Sequence, residues 1–127
     1  MKILYFVGTL ELGGLERFVT RTALRAKEID AFVPFVCCLH KKTGPFLDML
    51  EKSGIEVFSA PKGWTRSLYD LEKLSKVINK HNPDIVHSQV NFSLAQLRLA
   101  VLLAGRSIKF CVTERNEYPL FGFAKYR

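Results

Sequence analysis

Three stretches of the chain have residue types at spacings that can do chemistry: a glycine turn, a histidine at a strand end, and a charged cluster near the C-terminus. The turn reads Gly8-Thr9-Leu10-Glu11-Leu12-Gly13-Gly14-Leu15-Glu16-Arg17. Paired glycines let backbone N–H groups come close to an anion, so phosphate recognition is the chemistry this turn suits. A tight strand-to-helix turn with no ligand is the other reading. It is not a P-loop: Gly8 and Gly13 are correctly separated, but Gly14-Leu15 stands where the lysine and hydroxyl should be. Nor is it a dinucleotide fingerprint, since no G-x-G-x-x-G occurs and Leu39-His40-Lys41 brings no carboxylate for a ribose. Zinc is not expected either. The histidines at 40, 81 and 87 and the cysteines at 37, 38 and 111 lack close ligand pairs. Phe6-Val7-Gly8 has no acidic cluster, which excludes a response-regulator receiver.

The elements that must hold these residues follow from the apolar pattern. Residues 3–7 are continuously apolar and end at Gly8, as in a strand buried on both faces. Phe18, Val19, Thr22, Ala23, Ala26 and Ile29 then recur at helical spacing. Phe32 to Leu39 is a second strand, Phe46, Leu47 and Leu50 mark a short helix closed by Gly54, and Ile55 to Ser59 is a third strand. Leu68, Leu71, Leu74, Val77 and Ile78 give an amphipathic helix with Lys73, Lys76 and Lys80 outward. Asp84 to His87 begins a fourth strand, Phe92 to Ala104 is a more apolar helix that should be buried, and Ile108 to Thr113 is a fifth strand. Residues 114–127 show no clear period.

Strands alternating with helices predict an α/β fold, a doubly wound parallel sheet of Rossmann-like type in a single domain. Ligands in such sheets sit beyond the carboxyl ends of the strands, near the point where strand order reverses. Residues 8–17, 40–44, 60–67, 87–93 and 113–119 are therefore the expected functional loops. The long connection from Ser59 to Ser67 carries Trp64, Lys62 and Arg66. These three either meet anionic headgroups at a membrane surface or form an ordinary loop with Trp64 packed inward.

At 127 residues, with 48% hydrophobic and 12% aromatic side chains, the chain is one packed domain and not a disordered one. Residues 1–60 hold 8 basic and 7 acidic side chains, whereas residues 61–127 hold 11 and 5, so nearly all of the +7 charge lies in the second half. That excess suits a phosphate-bearing ligand or an acidic membrane surface, or else serves solubility alone; nucleic acid is not expected as a partner. Three cysteines cannot close a disulfide set, and buried free thiols in a reducing compartment are expected. The longest apolar run, Leu99 to Gly105, is far below the roughly 20 residues of a membrane span. A cytoplasmic location is the expectation.

Five motifs in order carry a family resemblance. Met1 to Gly8, Gly13-Gly14-Leu15-Glu16-Arg17, Gly44-Pro45-Phe46 before Gly54-Ile55-Glu56-Val57, Asn82-Pro83-Asp84-Ile85-Val86-His87, and Thr113-Glu114-Arg115-Asn116 together resemble the N-terminal half of a family 4 retaining glycosyltransferase of the GT-B fold. The resemblance covers essentially the whole chain. It implies an acceptor-side domain that faces a second, donor-binding domain across a cleft, and transfer of a sugar from a nucleotide-sugar to a glycan or lipid-linked acceptor. The nucleotide-sugar is then a co-substrate, with no resident cofactor and no metal.

Carried over by position, the resemblance places Gly13 and Gly14 against the donor diphosphate, with Arg17 adding charge or standing as a solvated helix residue. His87 would face the cleft or else be a satisfied core residue, with Gln89 and Asn91 bonding sugar hydroxyls or capping the next helix, for which Asn91 is the better placed. Glu114-Arg115-Asn116 resembles a variant found in a subgroup of the family, with Glu114 and Arg115 as the catalytic pair and Asn116 on substrate; a structural Glu-Arg pair is the alternative. Arg115 cannot serve as a base, because its pKa lies above ~12, but it can stabilise a leaving diphosphate. The family enzyme is about three times longer. The chain is therefore expected to be truncated after the fifth strand, to lack the C-terminal domain, and to be inactive alone. Peripheral contact with the inner face of the membrane is a further expectation. The competing reading is a non-catalytic module that binds a glycan, a phosphate or a protein.

Overall fold

The structure is a computed structural model, and it describes residues 1–90, 93–105 and 107–113. Five strands alternate with four helices: β1 (Lys2–Val7), α1 (Gly14–Glu28), β2 (Val33–Cys38), α2 (Pro45–Lys52), β3 (Glu56–Ser59), α3 (Leu68–His81), β4 (Ile85–Ser88), α4 (Leu94–Ala104) and β5 (Lys109–Val112). All strand pairs are parallel and the sheet order is β3-β2-β1-β4-β5. This is the doubly wound α/β arrangement that the alternation predicts. The chain winds outward from β1 to β3, then returns to place β4 on the other side of β1, so order reverses between β1 and β4.

Side-chain alternation along β1 divides the interior into two layers. Leu4 and Phe6 join Trp64, Leu71, Leu74, Ile78, Val86 and Leu97 on the α3/α4 face. Tyr5 and Val7 join Val19, Ala23, Val36, Phe46 and Leu50 on the α1/α2 face. Leu4, Phe6 and Val7 are all fully buried, which explains the unbroken apolar run: each such side chain stabilises the fold by about 1.5–3 kcal/mol. Pro34 sits inside β2 without breaking it. Val33 and Leu39 donate to Met1 O and Val7 O, so the odd-numbered residues of β2 face β1. Pro34 faces the opposite side, before β3 begins pairing at Phe35 with Glu56.

Helix ends carry their own signals. Pro45 opens α2, and the Ser67 hydroxyl caps α3 by accepting from Asp70 N at 3.1 Å. Asn82 closes α3 in the left-handed conformation, just before Pro83.

Several expectations need correction. Of the apolar residues whose spacing marks α1, Phe18 and the C-cap Ile29 are 42% and 51% exposed, and Thr20, outside that pattern, is buried, its hydroxyl donating to Glu16 O at 2.8 Å. Helix α4 is not buried all round: Leu97, Ala100 and Val101 face the core, while Leu99, Leu102 and Leu103 face outward. Its N-cap is Ser93 rather than Asn91, which lies outside the described residues. Cys37 and Cys38 are buried free thiols, but Cys111 is exposed, because β5 is an edge strand. Among the described residues no helix is long and apolar enough to cross a membrane.

Candidate functional site

The carboxyl ends of β1 and β4 are neighbours, with Tyr5 paired to His87 and Phe6 to Ser88. Two of the three predicted stretches therefore meet at the switch point. On the β1 side, Gly13 precedes α1 and no side chain caps the helix. The first amides of α1 lack intrahelical partners and carry the positive end of the helix dipole, so an anion is favoured there. A Cβ added to Gly14 would meet nothing within 4 Å, so this residue faces open space. Glu16 folds its carboxylate back toward Gly13, and it is a flexible side chain on the first turn. Arg17, one turn into the helix, is exposed.

The turn itself is held by the next loop. Leu10 is fully buried, its amide donates to Thr43 O at 2.8 Å, and its carbonyl accepts from Phe46 N at 3.3 Å. Thr43 Oγ1 adds a bond to Glu11 Oε2 at 2.7 Å. The backbones approach so closely that a Cβ on Gly44 would lie 2.0 Å from Leu10, and Gly44 also has φ of +125°. Sequence reasoning placed Gly44 only within a motif; its contact with Leu10 is a tertiary fact that no local pattern announces.

On the β4 side His87, Gln89 and Thr113 form one hydrogen-bonded group. His87 Nε2 bonds the Thr113 hydroxyl, and Gln89 Nε2 lies 3.3 Å from the same ring nitrogen. The imidazole is half-buried and its ring lies 5.9 Å from that of Tyr5. Gln89 is buried, its amide donating to Phe6 O at 3.1 Å, and Thr113 N donates to Ser88 O at 3.0 Å. Thr113 was legible only as the first residue of a motif, and its bond to His87 depends on β5 lying beside β4. The structure thus brings His87 and Gln89 together and sets Gly13, Gly14 and Arg17 at the adjacent strand end. Glu114, Arg115 and Asn116 lie outside the described residues.

Trp64 packs inward. It is buried with its indole N–H donating to Leu39 O at 3.1 Å, so of the two readings of the long connection the inward one holds for this residue. Among the described residues no three His, Cys, Asp or Glu side chains gather as a metal site would require. Burial raises the Cys38 thiol to about 11, against a smaller lowering by Lys42, and burial with the neighbouring Cys38 pushes Cys37 well up. Neither thiol is a nucleophile at neutral pH.

Comparison with known proteins identifies the family of the chain. The family model described as Glycosyltransferase Family 4 matches residues 12–127. A crystal structure of a glycosyltransferase from Rickettsia africae ESF-5 superposes with a TM-score of 0.67 at 22% identity, over 92% of this chain and 30% of that one. The chain thus spans less than a third of that protein's length, and at this identity the likeness speaks for the fold. No curated protein matches significantly.

Proposed function

Because the chain belongs to glycosyltransferase family 4, we propose that it is the acceptor-side, N-terminal part of a retaining GT-B glycosyltransferase. Its substrates are a nucleotide-sugar and a glycan or lipid-linked acceptor. Beyond the family match, the observation that carries this reading is the open, uncapped start of α1 at the sheet's switch point. There Gly13 and Gly14 receive the donor diphosphate on backbone amides, with Glu16 swinging aside and Arg17 adding positive charge. His87 and Gln89 bind sugar hydroxyls from the neighbouring strand end. His87 acts as a fixed hydrogen-bonding group, since Thr113 already holds its Nε2.

Arg115, with Glu114 as its partner, stabilises charge on the leaving diphosphate, and Asn116 contacts substrate. The leaving phosphate itself takes the acceptor proton, so no protein base, metal or resident cofactor is needed. Transfer requires a second, donor-binding domain facing the carboxyl end of this sheet, and the 127 residues alone are inactive. The enzyme works in the cytoplasm at the inner face of the membrane.

Gly14→Val in the complete enzyme tests the diphosphate role. The added side chain projects into open space, so the melting temperature should hold, while turnover should fall by about 10²-fold as the diphosphate is displaced from the amides. An unchanged rate would remove Gly14 from the donor site.

A further inference from the structure

Beside the switch point, at the carboxyl ends of β2 and β3, lies an open hollow of about 490 Å³. That is within the range of small-molecule sites, about 300–1,000 Å³. His40, Lys41 and Lys42 line it from the end of β2, Lys62 and Thr65 from the long connection, and Ser93 from the start of α4. No acidic side chain is among its described lining residues. Lys42 is held by Glu51 at 3.3 Å, whereas Lys41 and Lys62 make no ion pair among the described residues. Gathering cations around a concavity raises their mutual repulsion, and an anion in the hollow offsets it. Among the described lining residues there is no arginine, so the donors they offer are lysine point charges and hydroxyls, a set that can hold a tetrahedral phosphate.

The wall is built in advance. Trp64 is anchored to Leu39 O, and Ala60 N donates to Cys38 O at 3.0 Å, so the connection that carries Lys62 is tied to the sheet at both points. A seat ordered before binding loses less entropy on binding. A second hollow of about 310 Å³ shares Trp64 and Thr65 with the first and is lined by Leu68, Leu71 and Leu99. One phosphate chemistry therefore has two available sources, a soluble phosphosugar or a lipid headgroup whose chain follows the apolar hollow.

We propose that the hollow walled by Lys41, Lys62 and Thr65 seats a phosphate group borne by the acceptor substrate. Its assignment to the acceptor rests on the glycosyl-transfer reading above, but the phosphate seat is tested without transfer. The 127-residue chain is titrated with inorganic phosphate and with glucose 1-phosphate while its backbone amides are followed by NMR. It is also sedimented with phosphatidylcholine vesicles, with and without phosphatidic acid. Saturable shifts at residues 41, 62 and 65 are expected. Lys41→Ala with Lys62→Ala should weaken binding at least about tenfold. Lys76→Ala with Lys80→Ala, which removes the same charge from α3, should change it less than about twofold.

Both variants replace exposed side chains, so circular dichroism should match the parent chain. Response to glucose 1-phosphate without vesicle binding assigns a soluble source, and binding confined to phosphatidic acid vesicles and lost in the Lys41/Lys62 variant assigns a lipid one. Equal weakening by the two double variants, shifts confined to residues 13–17, or no saturable response to any probe would overturn the proposal. A failure of Gly14→Val to impair transfer would leave these binding results standing, so the two readings fail separately.

Discussion

The two ends of the sheet use the same residue types for different ends, as its histidines show. At the amino end His81 is enclosed: its ring stacks on Phe58 at 4.0 Å, meets Phe35 edge-on at 5.3 Å, and bonds Val77 O and Glu56 Oε2 at 3.0 and 2.9 Å. Around it the chain is tied by Lys2 N to Asp84 Oδ2 and by the N-terminal amine to Ala31 O. At the carboxyl end His87 sits half-buried beside open turns, an uncapped helix start and a lysine-lined hollow. The first histidine holds elements together, whereas the second bonds Thr113 and Gln89 at the half-buried end of its strand. Position relative to strand direction, not residue type, separates them.

The sharpest way to break this comparison is at the carboxyl end's own lock. Gly44→Ala combines a left-handed φ with a Cβ 2.0 Å from the Leu10 backbone, so stability should fall by about 2–4 kcal/mol in urea unfolding. A loss under about 0.5 kcal/mol would mean that the two loops are not fastened as described. Next come the histidines. His81→Ala should cost about 1–3 kcal/mol through lost stacking and hydrogen bonds, and His87→Ala about 1 kcal/mol or less. The reverse order would place the structural histidine at the wrong end of the sheet.

The smallest effect sharpens the contrast between the sheet's centre and its edge. In the folded chain at pH 7.5, on the order of one thiol should react with iodoacetamide without delay, and peptide mapping should find it at Cys111. Burial pushes the Cys37 thiol well up and that of Cys38 to about 11, so neither should be labelled quickly at pH 7.5. Rapid labelling of Cys38 at pH 7.5 would contradict its burial between β1 and β3.

Much of this was legible in residue order. The unbroken apolar run at 3–7 marked a strand covered on both faces, and Ser67 and Pro45 announced their helices through the backbone groups they satisfy or lack. The expected ligand loops at 8–17 and, in its described part, 87–90 do lie at one end of the sheet, because parallel strands force every strand-to-helix turn to the same edge. Periodicity misjudged the outer leucines of α4 and left Phe18 and Ile29 unplaced, since spacing identifies an apolar face but not how much surface a neighbour covers.

By itself the sequence determined the alternation of strands and helices, the family, and the residue types at each turn, because propensities, caps and apolar periods act over a few neighbouring residues. Only the tertiary structure decided that Gly44 must lack a side chain to pass Leu10, that Thr113 reaches His87, and that Lys41 and Lys62 line one hollow. Those relations join residues 21 to 34 positions apart, and they exist only once parallel pairing has set the strands side by side.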